Sequence, residues 1–151
     1  MKVLLTVLFF ICLTTTETMT GKVVKVTDGD TVVILTAGKK QERIRLLDID
    51  APERKQPYYD KASSYLSEMV FGKRVTVEYS KRDRYGRVLG TVYVDGKNVN
   101  EEMIRAGLAW NYHYSKNQKH AELETEAKEK KLNIFSVPNP INPYDYRRGQ
   151  R

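Results

Sequence analysis

Apolar and polar positions alternate in short runs along this chain, and turn residues punctuate the runs. Residues 22–27 (KVVKVT) and 31–35 (TVVIL) are rich in β-branched side chains. They flank Asp28-Gly29, a tight-turn dipeptide, and so predict a hairpin. Gly38-Lys39-Lys40 makes a second turn into a third strand over 42–47. Pro57 then opens a helical pattern in which Tyr58, Ala62, Tyr65, Leu66 and Met69 recur at helical spacing, and Gly72 stops it. Residues 74–79 alternate polar and apolar, which predicts a half-buried strand; 88–94 predict another, ending at the Asp95-Gly96 turn. Asn98 or Asn100 supplies a cap for a helix with Val99, Met103 and Ala106 on one face, ending at Gly107. A charged helix over 121–131 turns Leu123 and Ala127 inward. The last stretch, 136–151, holds three of the five prolines and three arginines, and reads as an extended tail that packs only in part. Three strands, a helix, two strands and two helices predict an α+β, mostly β fold. That order is consistent with a five-stranded Greek-key barrel with three helices, of the oligonucleotide-binding (OB-fold) type.

The 151 residues suffice for one compact domain. The net charge of +7 suits a polyanionic partner, whether nucleic acid or an acidic membrane surface, but a basic protein with neither is equally compatible. The first residues stand apart from the barrel pattern. Met1-Lys2 gives a positive start, residues 3–13 are apolar except Thr6, and a polar stretch follows. This is the layout of a secretory signal; the apolar run falls short of the ~20 residues that span a bilayer. Thr14-Thr15-Thr16 is a weak cleavage site, so a retained anchor is the alternative. The expected organisation is a signal peptide or anchor over 1–19, a barrel domain over 20–136 and a tail over 137–151. The only cysteine, Cys12, lies in the leader, which leaves the domain without a disulfide. The product is then secreted or periplasmic, or membrane-anchored if the leader stays.

Residues 45–53, RLLDIDAPE, concentrate an arginine, three carboxylates and a stiff Ala-Pro step. Asp30 and Asp50 each end a predicted strand, where side chains converge on a barrel rim. Two carboxylates, a backbone carbonyl and waters suit Ca²⁺, which takes six to eight oxygens. Soft and imidazole ligands for zinc are missing, as is the later part of an EF-hand loop. Asp28 reads as a turn residue or a support behind the ligands, and Asp48 as a solvated edge charge. Glu53 follows Pro52, whose fixed φ stiffens its approach, and a carboxylate there can orient a water or take its proton. Phosphodiester hydrolysis gathers negative charge on phosphorus oxygens, which guanidinium groups grip two at a time. Arg45 and Arg87, each beside a strand end, are the candidates, with Arg87 equally compatible with a surface turn because Tyr-Gly-Arg is a common one; Arg43 is a surface charge. His113 and His120 receive no role, and no Ser-His-Asp or Cys-His arrangement can be built.

The motifs DGDT (28–31), RLLDIDAPE (45–53), DRYGR (83–87), AGLAW (106–110) and LNIFS (132–136), in this order, resemble the staphylococcal nuclease (thermonuclease) family. The likeness runs from about residue 21 to 136. It implies a five-strand OB barrel with three helices. It also implies a Ca²⁺-dependent endonuclease that cuts DNA and RNA with low sequence specificity and leaves 3′-phosphates. By this resemblance Asp30, Asp50 and the carbonyl of Ala51 hold the metal. Glu53 is the general base or water-positioning residue, and Arg45 and Arg87 bind the phosphate. Tyr85, Tyr112 and Tyr114 line the nucleotide pocket. Ala51 stands where the staphylococcal enzyme has threonine, a change a backbone ligand tolerates. The loop after Glu53 and the segment before Tyr112 are shorter, and the tail has no counterpart. Two rival readings exist. A non-catalytic nucleic-acid-binding barrel would typically lose the carboxylates or arginines, and an envelope-attached basic adhesion protein leaves that set unexplained. Nothing demands an oligomer, so a monomer acting on DNA and RNA is expected.

Overall fold

The computed structural model describes residues 15–149; most of the expected leader therefore lies outside the described residues. Strand β1 (Glu17–Asp28) is followed by β2 (Thr31–Thr36), β3 (Gln41–Leu46) and the two-residue β4 (Ile49–Asp50). Helix α1 (Tyr59–Val70) precedes β5 (Arg74–Arg82), β6 (Val88–Val94) and the short β7 (Lys97–Asn98). Then come α2 (Val99–Arg105), β8 (Trp110–Asn111), α3 (Gln118–Glu129), a 3₁₀ turn (Asn133–Ser136) and α4 (Pro143–Gly149).

β1 pairs antiparallel with both β2 and β5, β2 with β3, and β5 with β6. A parallel pairing of β3 with β6, Ile44 opposite Val88 and Leu46 opposite Gly90, closes the five long strands into a barrel. Against β2, β1 slips register after Val23 and after Val26. Such bulges bend a strand and raise its twist. Gly90 sits where the barrel wall is thinnest: a Cβ there would lie 2.5 Å from a Val77 methyl.

The alternation read from the sequence fills the interior. Val23, Ile34, Ile44, Val77 and Val92 are buried inside the barrel. Ala62 and Leu66 of α1, Met103 and Ile104 of α2 and Leu123 of α3 pack on the same core. Ala62, Leu66 and Val70 recur four residues apart and form the buried stripe of α1. The Asn98 side chain accepts from the Glu101 amide and caps α2, and Asn117 does the same for α3 through His120. Gly107, at φ 67°, ends the α2 turn against the Leu132 carbonyl, which a Cβ would approach to 2.5 Å. No helix among the described residues is long and apolar enough to cross a membrane.

Two expectations change. Regular structure begins at Glu17, ahead of the expected start at residue 20: Glu17, Thr18 and Met19 pair with Tyr79, Glu78 and Val77. Hydrophobic pattern missed this because the segment is held by ladder hydrogen bonds and by Tyr79 donating to Glu17 (2.8 Å). The tail is not merely extended; its end forms a fourth helix, α4, beyond the three expected.

Buried Glu42 on β3 pairs with Arg82 at 2.8 Å and Lys40 at 2.6 Å. The hydrogen bond from Arg82, then that from Lys40, holds its carboxyl down at about 2, against 4.5 for a free glutamate. A depressed folded pKa adds stability above the unfolded value that is lost as pH falls from 4.5 through 2. Both cations are substantially exposed, so the pair contributes only about 1 kcal/mol. Urea titrations should show Glu42→Gln destabilised by that amount at pH 7 and level with the parent near pH 2. A gap that persists in acid would refute the assignment.

Candidate active site

Asp30 is the turn residue immediately before β2 and is buried. Its Oδ2 accepts from the Ala51 amide at 2.8 Å and its Oδ1 from the Thr31 hydroxyl at 3.1 Å. The turn that delivers it is tight. A Cβ on Gly29 would lie 2.8 Å from the Cβ atoms of both Ala51 and Ala62, so glycine alone lets the turn, the 51–53 loop and α1 meet. Asp28 accepts from the Asp30 amide at 3.1 Å. Burial first, then the neighbouring Asp30 charge, pushes its carboxyl up to about 7. It supports the turn rather than facing a ligand.

Asp50, 1% exposed, sits on β4, whose pairing with Trp110 on β8 fixes its height. Burial pushes its carboxyl up, while hydrogen bonding from Arg147 and the charges of Arg45 and Arg147 pull it down. Arg45 ties the parts together. Its Nη1 donates to the carbonyls of Leu46 (2.9 Å) and Ile49 (2.8 Å). Its Nη2 contacts Asp30 Oδ2 at 3.2 Å and Asp50 Oδ1 at 3.1 Å. One nitrogen thus bridges the two carboxylates.

Glu53 is half-exposed on the loop beyond Pro52; its amide donates to Gln56 Oε1 at 2.8 Å, which orients the loop. Its Oε1 and Asp50 Oδ1 accept from the same nitrogen, Nη1 of Arg147, at 2.7 and 3.0 Å. Arg147 Nη2 also reaches Asp50 Oδ2 at 2.8 Å. The structure therefore gathers Asp30, Asp50, Glu53 and Arg45 at one rim and adds Arg147 from α4.

Arg87 enters differently. Val88 and Ile44 both point into the core, so the residues beside them, Arg87 and Arg45, project to the other face of the β3–β6 pair. Asp83 organises the preceding turn: its Oδ1 accepts from the amides of Tyr85 (2.9 Å) and Arg87 (3.0 Å). Its Oδ2 takes Arg87 Nε at 2.7 Å, so Arg87 is held by Asp83 rather than by the rim carboxylates. Those hydrogen bonds hold the Asp83 carboxyl below its ordinary value against a burial effect that raises it.

The tyrosines fall into two groups. Tyr85 is exposed beside Arg84 and Arg87, whose guanidinium carbons lie 4.8 and 5.6 Å from its ring centre. Tyr112 and Tyr114 meet edge to face at 5.9 Å and join His113 and Tyr144. Arg43 and Asp48 carry no site contact: Arg43 is exposed, and Asp48 offers its carbonyl to the Tyr112 amide at 3.0 Å. His120 is buried with Nδ1 3.2 Å from that same carbonyl, a structural place.

The donors at the rim are all oxygens, which suits a hard cation. Among the described residues no three carboxylate, imidazole or thiolate side chains form a metal cage. Asp30 and Asp50 would therefore hold an ion with the Ala51 carbonyl, water and substrate completing its shell. The residues fit that group, since a guanidinium already lies where positive charge is wanted.

The match to known proteins runs through the same segments. Residues 43–137 match the family model described as staphylococcal nuclease homologue. The chain belongs to the staphylococcal nuclease family. Relatives include an Escherichia coli protein called an uncharacterized endonuclease, 46% identical over 129 residues that cover 84% of each chain. A micrococcal nuclease of Shigella flexneri is 36% identical over 143 residues, 87% of this chain and 82% of the relative. The staphylococcal-like nuclease CAN1 of Arabidopsis thaliana is 42% identical over 113 residues, 74% of this chain but 35% of the relative. The staphylococcal nuclease family is a nuclease family, and its members act on nucleic acid. Sequence reasoning missed Arg147 because the motifs stop short of the tail, and Gln56 because it lies just past RLLDIDAPE with no motif of its own. The signal available was the spacing of Tyr144 with Arg147 and Arg148, three and four residues on along one helix face.

Proposed function

We propose that this protein is an exported Ca²⁺-dependent endonuclease. It hydrolyses phosphodiester bonds of DNA and RNA with little regard to sequence and leaves 3′-phosphates. One observation carries the reading: a single Arg45 nitrogen spans Asp30 and Asp50 while Asp50 and Glu53 share a second cationic partner. Carboxylates and guanidinium groups thus face one point on the rim. A bound divalent cation supplies neutralisation of the phosphate and an acidified water. Asp30 and Asp50 hold their charges toward the scissile group, kept in place by the Ala51 amide and by Arg45. Glu53 orients the attacking water and accepts its proton. Arg45 and Arg87 grip non-bridging oxygens as charge builds on phosphorus, which a planar fork does better than an ammonium. The exposed rings of Tyr85 and Tyr114, with half-buried Tyr112 beside them, stack on bases without reading their edges, which gives low sequence specificity. Export follows from the leader-like layout of residues 1–13.

Incubating the purified protein with single-stranded DNA or RNA and Ca²⁺ should give fragments with 3′-phosphate ends. A calcium chelator should stop the cutting. Binding without cleavage would overturn the catalytic reading, and cutting indifferent to the chelator would overturn the metal.

A further inference from the structure

The tail lies across the catalytic rim. Its α4 delivers Arg147 onto both oxygens of Asp50 and onto Glu53, the residues read above as ligand and base. The contact is built in rather than incidental. Gln56 holds the Glu53 amide with its oxygen and donates through Nε2 to the Ile141 carbonyl at 2.9 Å, so one side chain registers the tail against the loop. On the other side, His113 stacks on Tyr144 with ring centres 4.2 Å apart and planes 3° from parallel. Tyr114 and Tyr144 join their hydroxyls at 2.6 Å.

Charge explains why an arginine ends there. Asp30, Asp50 and Glu53 carry three negative charges at the rim, and Arg45 answers one. Arg147 answers a second and leaves one uncompensated, whereas a divalent cation would answer both. Two cations of different charge thus want the same oxygens, and a bidentate guanidinium on Asp50 leaves those oxygens no room for an ion. A cavity of about 270 Å³ lies between the tail and the 52–58 loop, lined by Pro52, Tyr58, Trp110, Pro138 and Ile141, so packing beneath the tail is incomplete there.

We infer that the C-terminal helix is a built-in competitor for the metal carboxylates: Arg147 occupies Asp50 and Glu53 until a divalent cation displaces it. The inference rests on the cation reading of the rim. The tail then sets the calcium level at which the enzyme turns on, because apparent affinity falls by the fraction of molecules whose carboxylates are open. Displacement also takes Tyr144 off the face of His113, so opening the metal site bares that ring at the same moment.

Calcium binding by the full chain, followed by isothermal titration calorimetry without nucleic acid, tests this. Arg147→Ala should tighten the calcium Kd about tenfold, the factor expected when the plug is engaged nine-tenths of the time. Arg148→Ala, which removes the same charge one residue on, should bind as the parent does. Unchanged or weaker binding by Arg147→Ala overturns the competitor, even where the parent's cleavage remains chelator-sensitive. Equal tightening by both variants also overturns it, since bulk charge alone would then be at work. Calcium taken up by none of the three proteins overturns the cation reading itself, and this inference with it.

Discussion

Arg87→Ala should lower kcat by about 10²–10³, the usual cost of removing one preorganised donor from a developing oxyanion. Glu53→Gln should lower it by roughly 10²–10⁴, the range for a positioned acid–base group. Both losses should fall on kcat more than on KM, because each group works hardest on the charge and proton of the transition state. Neither substitution should unfold the protein. Glu53 is half-exposed on a loop, and the Asp83 carboxylate still holds the Tyr85 amide when Arg87 is gone. Arg87→Lys should rescue little, since an ammonium cannot reproduce the fork. Arg43→Ala, on the exposed side of β3, is the matched control and should cut at the parental rate. Circular dichroism melts alongside single-turnover kinetics separate the two effects. An Arg87→Ala protein that digests DNA as fast as the parent removes that arginine from the mechanism.

Asn100→Ala should be the most damaging polar substitution in the fold. Asn100 is fully buried at the start of α2. Its Oδ1 accepts from the Val92 amide at 3.0 Å, and its Nδ2 donates to the carbonyls of Leu47 (3.0 Å) and Gly90 (3.1 Å). It therefore bonds to β6 and to the loop leaving β3. Removing the amide breaks three hydrogen bonds and strands at least one buried backbone group, at a cost of about 3 kcal/mol. For a chain of this size that is a fall in Tm of roughly 10 °C. Asn100→Asp, nearly isosteric, should do no better, because a carboxylate cannot donate to two carbonyls. A melting point within a degree or two of the parent would show that water replaces the side chain.

Most of the barrel was legible because its strands obey period two and its turns are marked by glycine. Val88, Val92 and Val94 point inward while Leu89, Thr91 and Tyr93 are only half-buried, the alternation that the sequence displays. Asn98 and Asn117 cap helices for the same local reason that asparagine is found there. What escaped was set at a distance. Glu17 and Thr18 are exposed and Met19 alone in this stretch packs on the core, so the strand there rests mainly on the ladder that β5 offers. Pro143 opens α4 where the prolines and arginines suggested an extended chain. That helix is tied to the body by Tyr144 on His113 and by Arg147 on Asp50, across 97 residues of sequence in the second case. The candidate site divides the same way. The motifs named Asp30, Asp50, Glu53, Arg45 and Arg87 as candidates, and the structure brings the first four to one rim, but spacing could not show that Arg45 bridges two carboxylates or that Asp83 holds Arg87.

The parallel seam between β3 and β6 has a consequence for folding. Arg45 and Arg87 lie on either side of it. Pairing so distant along the sequence follows the local hairpins that make it possible. A nascent or unwound polypeptide therefore carries the candidate residues without the geometry that brings them together, and the rim comes into being only as the barrel closes.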